Sequence, residues 1–218
     1  MAEISHASAF TSKNGIARID LKGVDHLLHH RTAVFVGAHL SNWELGIVAL
    51  ARELGGLNAI YTPIGIKDLD QRLQAYRSET GGTYLPKSAA SLRTIYQDLR
   101  GGRSVAMLVD QYVAAGLTVN FLGHSSIAPA LPARLAIQFG IPIIPVDGVR
   151  ISPTHFVVRL HRPILPQSFE KADQELAMTQ QMMSSIEDFI RKSADSWFCN
   201  KARWPVQSEV RPRTSDTQ

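Results

Sequence analysis

The chain has 218 residues, 44% of them hydrophobic and 19% charged, with a formal net charge of +4. That composition suits one large α/β domain with a sizeable core. The small positive excess fits an acidic partner, while the lack of any basic run interleaved with aromatics excludes a dedicated nucleic-acid binder, and the single cysteine, Cys199, excludes a disulfide framework or a cysteine metal cluster.

No apolar run is long enough to cross a bilayer, and the opening MAEISHASAF has neither the basic nor the apolar region of a signal peptide. A chain that is soluble or attached to a membrane surface is expected.

In chain order, residues 1–15 are small and polar and read as a loose tail. A strand is predicted from Ile16 through Leu21, then a short helix in VDHLLHH. Residues 33–38, AVFVGA, form the continuous apolar run typical of a strand buried on both faces. A helix follows over 42–54 and stops before Gly55-Gly56. LNAIYTPI is the next strand, KDLDQRLQAYRS a polar helix ending at Gly81-Gly82, and TYLP a short strand. A further helix carries Leu92, Ile95 and Leu99 on one face. SVAMLVD is a buried strand ending at Asp110, and GLTVNFLG a short strand or extended loop. LPARLAIQF is a helix closed by Gly140. IPIIPVDGVRI and HFVVRLHRPIL read as two strands, and 170–193 as one long amphipathic helix. Residues 205–218 lack apolar periodicity and read as a second tail.

Strands alternate with helices through most of this pattern. It predicts an α/β fold, a mostly parallel central sheet flanked by helices, in a single domain over 16–204. Ligands in such sheets bind beyond the carboxyl ends of strands, and His39 and Asp110 both fall at such ends.

The stretch VFVGAHLSNWELG turns from strand to helix with His39, Ser41, Asn42 and Glu44 in the change-over. Ser41 and Glu44 have capping-box spacing, which predicts a helix starting at Asn42. The turn then lets His39 fold back within reach of Glu44. Two readings fit. In one, Glu44 only caps and His39 is a satisfied turn histidine. In the other, Glu44 holds the proton on one imidazole nitrogen, and the other nitrogen takes a proton from an alcohol. The helix start alongside offers N–H groups to a phosphate or an oxyanion.

HLSNWE resembles the H-x4-D/E signature of glycerolipid acyltransferases, and its Asn-Trp-Glu is more specifically similar to the lipid A biosynthesis (lauroyl/myristoyl) acyltransferases. Further blocks carry the resemblance: Arg77 in LQAYRSETGG, Asp110-Gln111 at the end of RGGRSVAMLVDQ, Phe121 and Gly123 in VNFLG, ARLAIQFGIPIIPV, and DSWFCNKARWP with Trp197, Arg203 and Trp204. It covers about residues 19–204. Two departures stand out. Family members usually carry a longer N-terminal part with an apolar membrane anchor, and Cys199-Asn200-Lys201 stands where aromatic and histidine residues are usual.

The resemblance implies an acyltransferase-like fold and transfer of a fatty acyl group from an acyl carrier protein thioester to a hydroxyl of a lipid A precursor. It implies no metal and no cofactor. His39 would be the general base and Glu44 its orienting carboxylate. Ser41, Asn42, Arg77, Asp110, Gln111, Phe121 and Gly123 would bind substrate. The implied location is the cytoplasmic face of the inner membrane, peripheral for this chain.

Other acceptors fit as well: a glycerophospholipid, a phosphatidylinositol mannoside or an ornithine lipid. So does a non-catalytic lipid- or carrier-binding remnant. From its place alone, Asp110 either orients a base, binds the acceptor or caps a turn. Asn120, Phe121 and Gly123 either line an acyl channel or anchor a glycine turn. Arg93, Arg100 and Arg103 form either a basic face for the acidic carrier or an ordinary solvated face. His124-Ser125 lacks the G-x-S-x-G elbow of a serine hydrolase.

Overall fold

The computed structural model describes residues 18–62, 67–78, 81–199 and 203–204. The tails expected at 1–15 and 205–218, and the start of the first strand at 16–17, lie outside them.

The elements run β1 (Arg18–Lys22), α1 (Asp25–Leu28), β2 (Val34–Gly37), α2 (Trp43–Leu54), β3 (Leu57–Tyr61), α3 (Lys67–Ser78), β4 (Gly82–Pro86), α4 (Ala89–Arg100), β5 (Val105–Leu108), β6 (Leu117–Phe121), β7 (His124–Ala128), α5 (Leu131–Phe139), β8 (Ile143–Ser152), β9 (His155–Leu160) and α6 (Gln174–Lys192). Seven strands form one sheet in the order β1-β9-β8-β2-β5-β3-β4. The body from β8 to β4 is parallel. The predicted α/β sheet is therefore present, with helices on both faces.

The apolar run of β2 explains why that strand is central. Val34 and Val36 pack with α4, α5 and α6, whereas Phe35, one residue out of phase, packs with Leu50 and Ala51 of α2. Period-two alternation assigns the two faces, and both are apolar because both are covered. On α6 the buried residues Met178, Met182, Met183, Ile186, Phe189 and Ile190 recur at helical spacing. α2 and α5 end at Gly55 (φ 68°) and Gly140 (φ 64°), the left-handed stops expected of glycine.

Two features depart from the prediction. β8 and β9 form an antiparallel hairpin, with β1 added parallel to β9, so this edge of the sheet runs against the parallel body. The stretch 117–128 is a second hairpin, β6–β7, separate from the main sheet. Its second strand, HSSIA, escapes sequence reading because its inward residue Ser126 is polar and hides the alternation. Among the described residues, no helix is long and apolar enough to cross a membrane.

Candidate active site

β2 and β5 pair in parallel from Val34↔Val105 to Gly37↔Leu108. Beyond the strands the same offset continues: Val109 N–H donates to the Gly37 carbonyl at 3.0 Å, and His39 falls opposite Asp110. His39 Nδ1 lies 2.8 Å from Asp110 Oδ1, and the His39 backbone N–H donates to Asp110 Oδ2 at 3.1 Å. A third donor is the Trp197 indole, whose Nε1–H reaches Asp110 Oδ2 at 2.8 Å.

Asp110 is 1% exposed and His39 19%. Burial alone pushes the Asp110 carboxyl up, but the hydrogen bonds from the His39 ring, the Trp197 indole and the His39 backbone outweigh it and hold it below the ordinary carboxylate range. An ionised Asp110 assigns the proton to Nδ1 of His39 and leaves Nε2 bare. Nε2 faces the Gln111 carboxamide nitrogen at 3.5 Å, and the ring rests edge-on against Trp43 at 4.9 Å between centroids. A bare imidazole nitrogen backed by a buried carboxylate, at the C-terminal edge of a parallel sheet, is the geometry of a general base.

The expected His39–Glu44 pair does not form. Glu44 is buried, and its carboxylate is taken by Arg77 of α3 and Tyr84 of β4. Arg77 Nε donates to Glu44 Oε2 at 3.3 Å, Arg77 Nη2 to Oε1, and Tyr84 Oη to Oε2 at 2.9 Å. The Arg77 guanidinium also lies over the Tyr84 and Tyr61 rings, 4.5 and 5.3 Å from their centroids. Glu44 thus joins α2 to α3 and β4, and Arg77 is buried in that joint at 9% exposure instead of facing solvent.

The capping box does not form either. Ser41 has φ 51°, the N-cap is Asn42 with no side-chain cap, and the helix begins at Trp43. The Ser41 N–H instead donates to the Ser196 carbonyl at 2.9 Å. A contact with a chain segment 155 residues away thus overrides the local capping preference.

Phe121 and Gly123 have structural places. Leu122 (φ 54°) and Gly123 (φ 83°) are the two positive-φ centres of the β6–β7 turn, which is why glycine stands there. Phe121 is fully buried between Trp197 and Trp204, and Asn120 pairs through its backbone with the Gln180 side chain. Arg93, Arg100 and Arg103 are exposed, but Arg100 and Arg103 precede β5 and so lie at the opposite end of the sheet from His39. His124 lies against Trp204 at 5.5 Å.

Sequence reasoning left two features unassigned. The first is the Trp197 hydrogen bond, whose only signal was a tryptophan in the block at 195–205. The second is an apolar cleft between α2 and the sheet. Phe35, Gly37, Ala106, Leu108, Val146 and Gly148 form its floor, and Trp43, Gly46, Ile47 and Leu50 its roof. The cleft adjoins the His39 turn through Trp43, which lines it and meets the His39 ring edge-on. Small residues open it, and a Cβ added to Gly46 would meet nothing within 4 Å. Among the described residues, no group of three or more His, Cys, Asp or Glu is placed to hold a metal ion.

The family model for bacterial lipid A biosynthesis acyltransferases matches residues 1–205. The chain belongs to that family. Among curated proteins it is 26% identical over 152 residues to a phosphatidylinositol mannoside acyltransferase of Mycolicibacterium smegmatis, covering 62% of this chain and 50% of that protein. It is 27% identical over 132 residues to the Mycobacterium tuberculosis protein of the same name, covering 56% and 42%. The chain thus spans about half the length of the curated relatives it matches. Within the family, the H-x4-E block of this member is split: its histidine pairs with Asp110 and its glutamate with Arg77.

Proposed function

We propose that this chain is an O-acyltransferase that moves a fatty acyl group from a thioester to a hydroxyl of a membrane glycolipid. The observation that carries the reading is the His39–Asp110 pair, set against Trp43 at the edge of an apolar cleft.

The acyl chain lies in the cleft and presents its thioester carbonyl at His39. Nε2 takes the proton of the acceptor hydroxyl as its oxygen attacks the carbonyl carbon. The tetrahedral intermediate then collapses, the C–S bond breaks, and the imidazolium returns the proton to the departing thiolate. Asp110 stabilises the imidazolium between the two steps. The start of α2 and the Gln111 carboxamide supply positive dipoles beside the developing oxyanion. Base catalysis of this kind contributes about 10²–10⁴-fold. Glu44 acts at a distance from the chemistry, by fixing Arg77.

The family points to a lipid A precursor as acceptor and acyl carrier protein as donor. The curated relatives favour a second acceptor, a phosphatidylinositol mannoside. Both present hydroxyls of saccharide-bearing lipids. Such acceptors are membrane lipids, and two exposed aromatics, Phe198, whose N–H donates to the His39 carbonyl, and Tyr112, next in sequence to Gln111, would suit a membrane interface. A non-catalytic remnant is disfavoured by the complete base pair.

The test incubates the purified chain with acyl carrier protein or coenzyme A thioesters and with each acceptor in detergent, and follows acceptor mass. One added acyl mass, lost in His39→Ala, supports the reading and names the acceptor. No added mass on either acceptor from a folded protein overturns it.

A further inference from the structure

Residues 194–199 cross the His39 turn and contribute more than packing. Trp197 bridges Leu40, Ser41 N–H donates to the Ser196 carbonyl, and Phe198 N–H donates to the His39 carbonyl at 2.8 Å. The same Trp197 then sends its indole N–H to Asp110 at 2.8 Å. These contacts close a ring: the His39 turn fixes Trp197, Trp197 fixes Asp110, and Asp110 fixes the His39 imidazole.

We infer that Trp197 is a positioning residue, whose indole N–H locks the Asp110 carboxylate so that one oxygen stays on Nδ1 of His39. The inference rests on the proposed base role of His39. Its physical ground is the torsional freedom of an aspartate. The terminal torsion of Asp is broad, so a single contact to the ring would not hold it. Here Oδ2 accepts two donors from two segments of chain that are bridged to each other, the His39 backbone N–H and the Trp197 indole, and this leaves Oδ1 a single orientation.

The segment is itself anchored. Phe121 lies edge-on to Trp197 and stacked with Trp204, with ring centroids 6.4 and 6.1 Å away. Arg203, 2% exposed, lies 4.8 Å over the Phe121 ring and donates from Nη1 to Ser126 Oγ and the Ile127 carbonyl. The β6–β7 hairpin and the segment thereby hold each other, and the hairpin is tied to α6 through Leu122 N–H and Glu187. The buried aromatic at Phe121 thus serves the site indirectly, by backing the ring that reaches Asp110.

Trp197→Phe keeps an aromatic ring against Phe121 and removes only the donor. Loss of a hydrogen bond to a charged group predicts a fall in kcat of about tenfold with KM little changed. A merely structural role would lower stability without coupling to Asp110, so the decisive comparison is a double-mutant cycle. If Trp197 acts through Asp110, the Asp110→Asn/Trp197→Phe double variant is no slower than Asp110→Asn alone. Losses that multiply overturn the inference.

A second readout needs no turnover. Nitrogen NMR of His39, assigned with His39→Ala, reports which ring nitrogen carries the proton in the neutral form. The wild type is expected to hold Nδ1–H, and Trp197→Phe to shift toward a mixture of tautomers. An unchanged tautomer in a folded Trp197→Phe protein overturns the inference even if the chain transfers acyl groups. A shifted tautomer without turnover in the wild type upholds the positioning role and rejects the acyltransferase reading instead.

Discussion

Replacing Asp110 by Asn separates the two carboxylates that stand near the site. The Asn side chain is nearly isosteric but carries one acceptor and one amide. If its amide NH₂ takes the place of Oδ2, it opposes two donors, the His39 N–H and the Trp197 indole. If it flips to satisfy them, the amide faces Nδ1 of His39 and must donate to it, so the imidazole proton moves to Nε2. The nitrogen that should accept the hydroxyl proton is then blocked. The loss is that of a base in the wrong tautomer, about 10³–10⁴-fold in kcat, or about 4–5 kcal/mol in the barrier. Glu44→Gln leaves His39 and Asp110 untouched, so a folded Glu44→Gln protein should keep kcat within about tenfold. The assay is single-turnover acyl transfer at saturating donor, with circular dichroism confirming both folds. The reasoning is refuted if Asp110→Asn keeps more than a tenth of wild-type activity while Glu44→Gln loses a thousandfold. That result would return the orienting role to Glu44.

Arg77→Met leaves the Glu44 carboxylate buried without its cation and should cost about 3–5 kcal/mol in urea unfolding. Adding Glu44→Gln should recover most of that, because the penalty is the uncompensated charge. Gly46→Ala adds a methyl into open space within a helix and should raise stability by about 0.5–1 kcal/mol, read as a higher urea midpoint. Gly46→Leu fills the cleft and should shift donor preference to shorter acyl chains; an unchanged chain-length profile would place the acyl chain elsewhere. Burial pushes Asp147 up, but hydrogen bonds from His161 and Arg159 prevail and hold it below the ordinary range, as with Asp110. The unfolded chain therefore binds these protons first, so their stabilisation is complete above the ordinary carboxylate range near pH ~4 and is lost as the pH falls through the folded values. Urea midpoints from pH 7 down to 3 should fall, and Asp147→Asn should flatten that fall.

Much of the architecture is legible locally because it rests on local physics. The run AVFVGA has no polar phase, so it must be a strand covered on both faces. The helix after it ends at Gly55 because only glycine adopts the left-handed stop cheaply. The strand–helix alternation then requires a mostly parallel sheet, and His39 falls at a strand end whatever the strand order. The family resemblance rests on blocks of this kind, and the match over residues 1–205 bears it out.

The partner of His39 is a different kind of fact. Glu44 is five residues away, Asp110 seventy-one, and local spacing favours the nearer one. Strand register decides for Asp110, because β2 and β5 pair with an offset that brings 39 and 110 side by side. Ser41 would cap a helix in isolation, yet the returning segment claims its N–H and turns its backbone left-handed. Glu44 is drawn away because Arg77 and Tyr84 meet it inside the fold, where an unpaired carboxylate would be costly. Sequence by itself determined the helices, the strands of the main sheet and the end of that sheet at which chemistry can occur, but not β7. Only the tertiary structure decided which acid faces which base, because pairing across a parallel sheet depends on register, and register is set by packing over the whole domain.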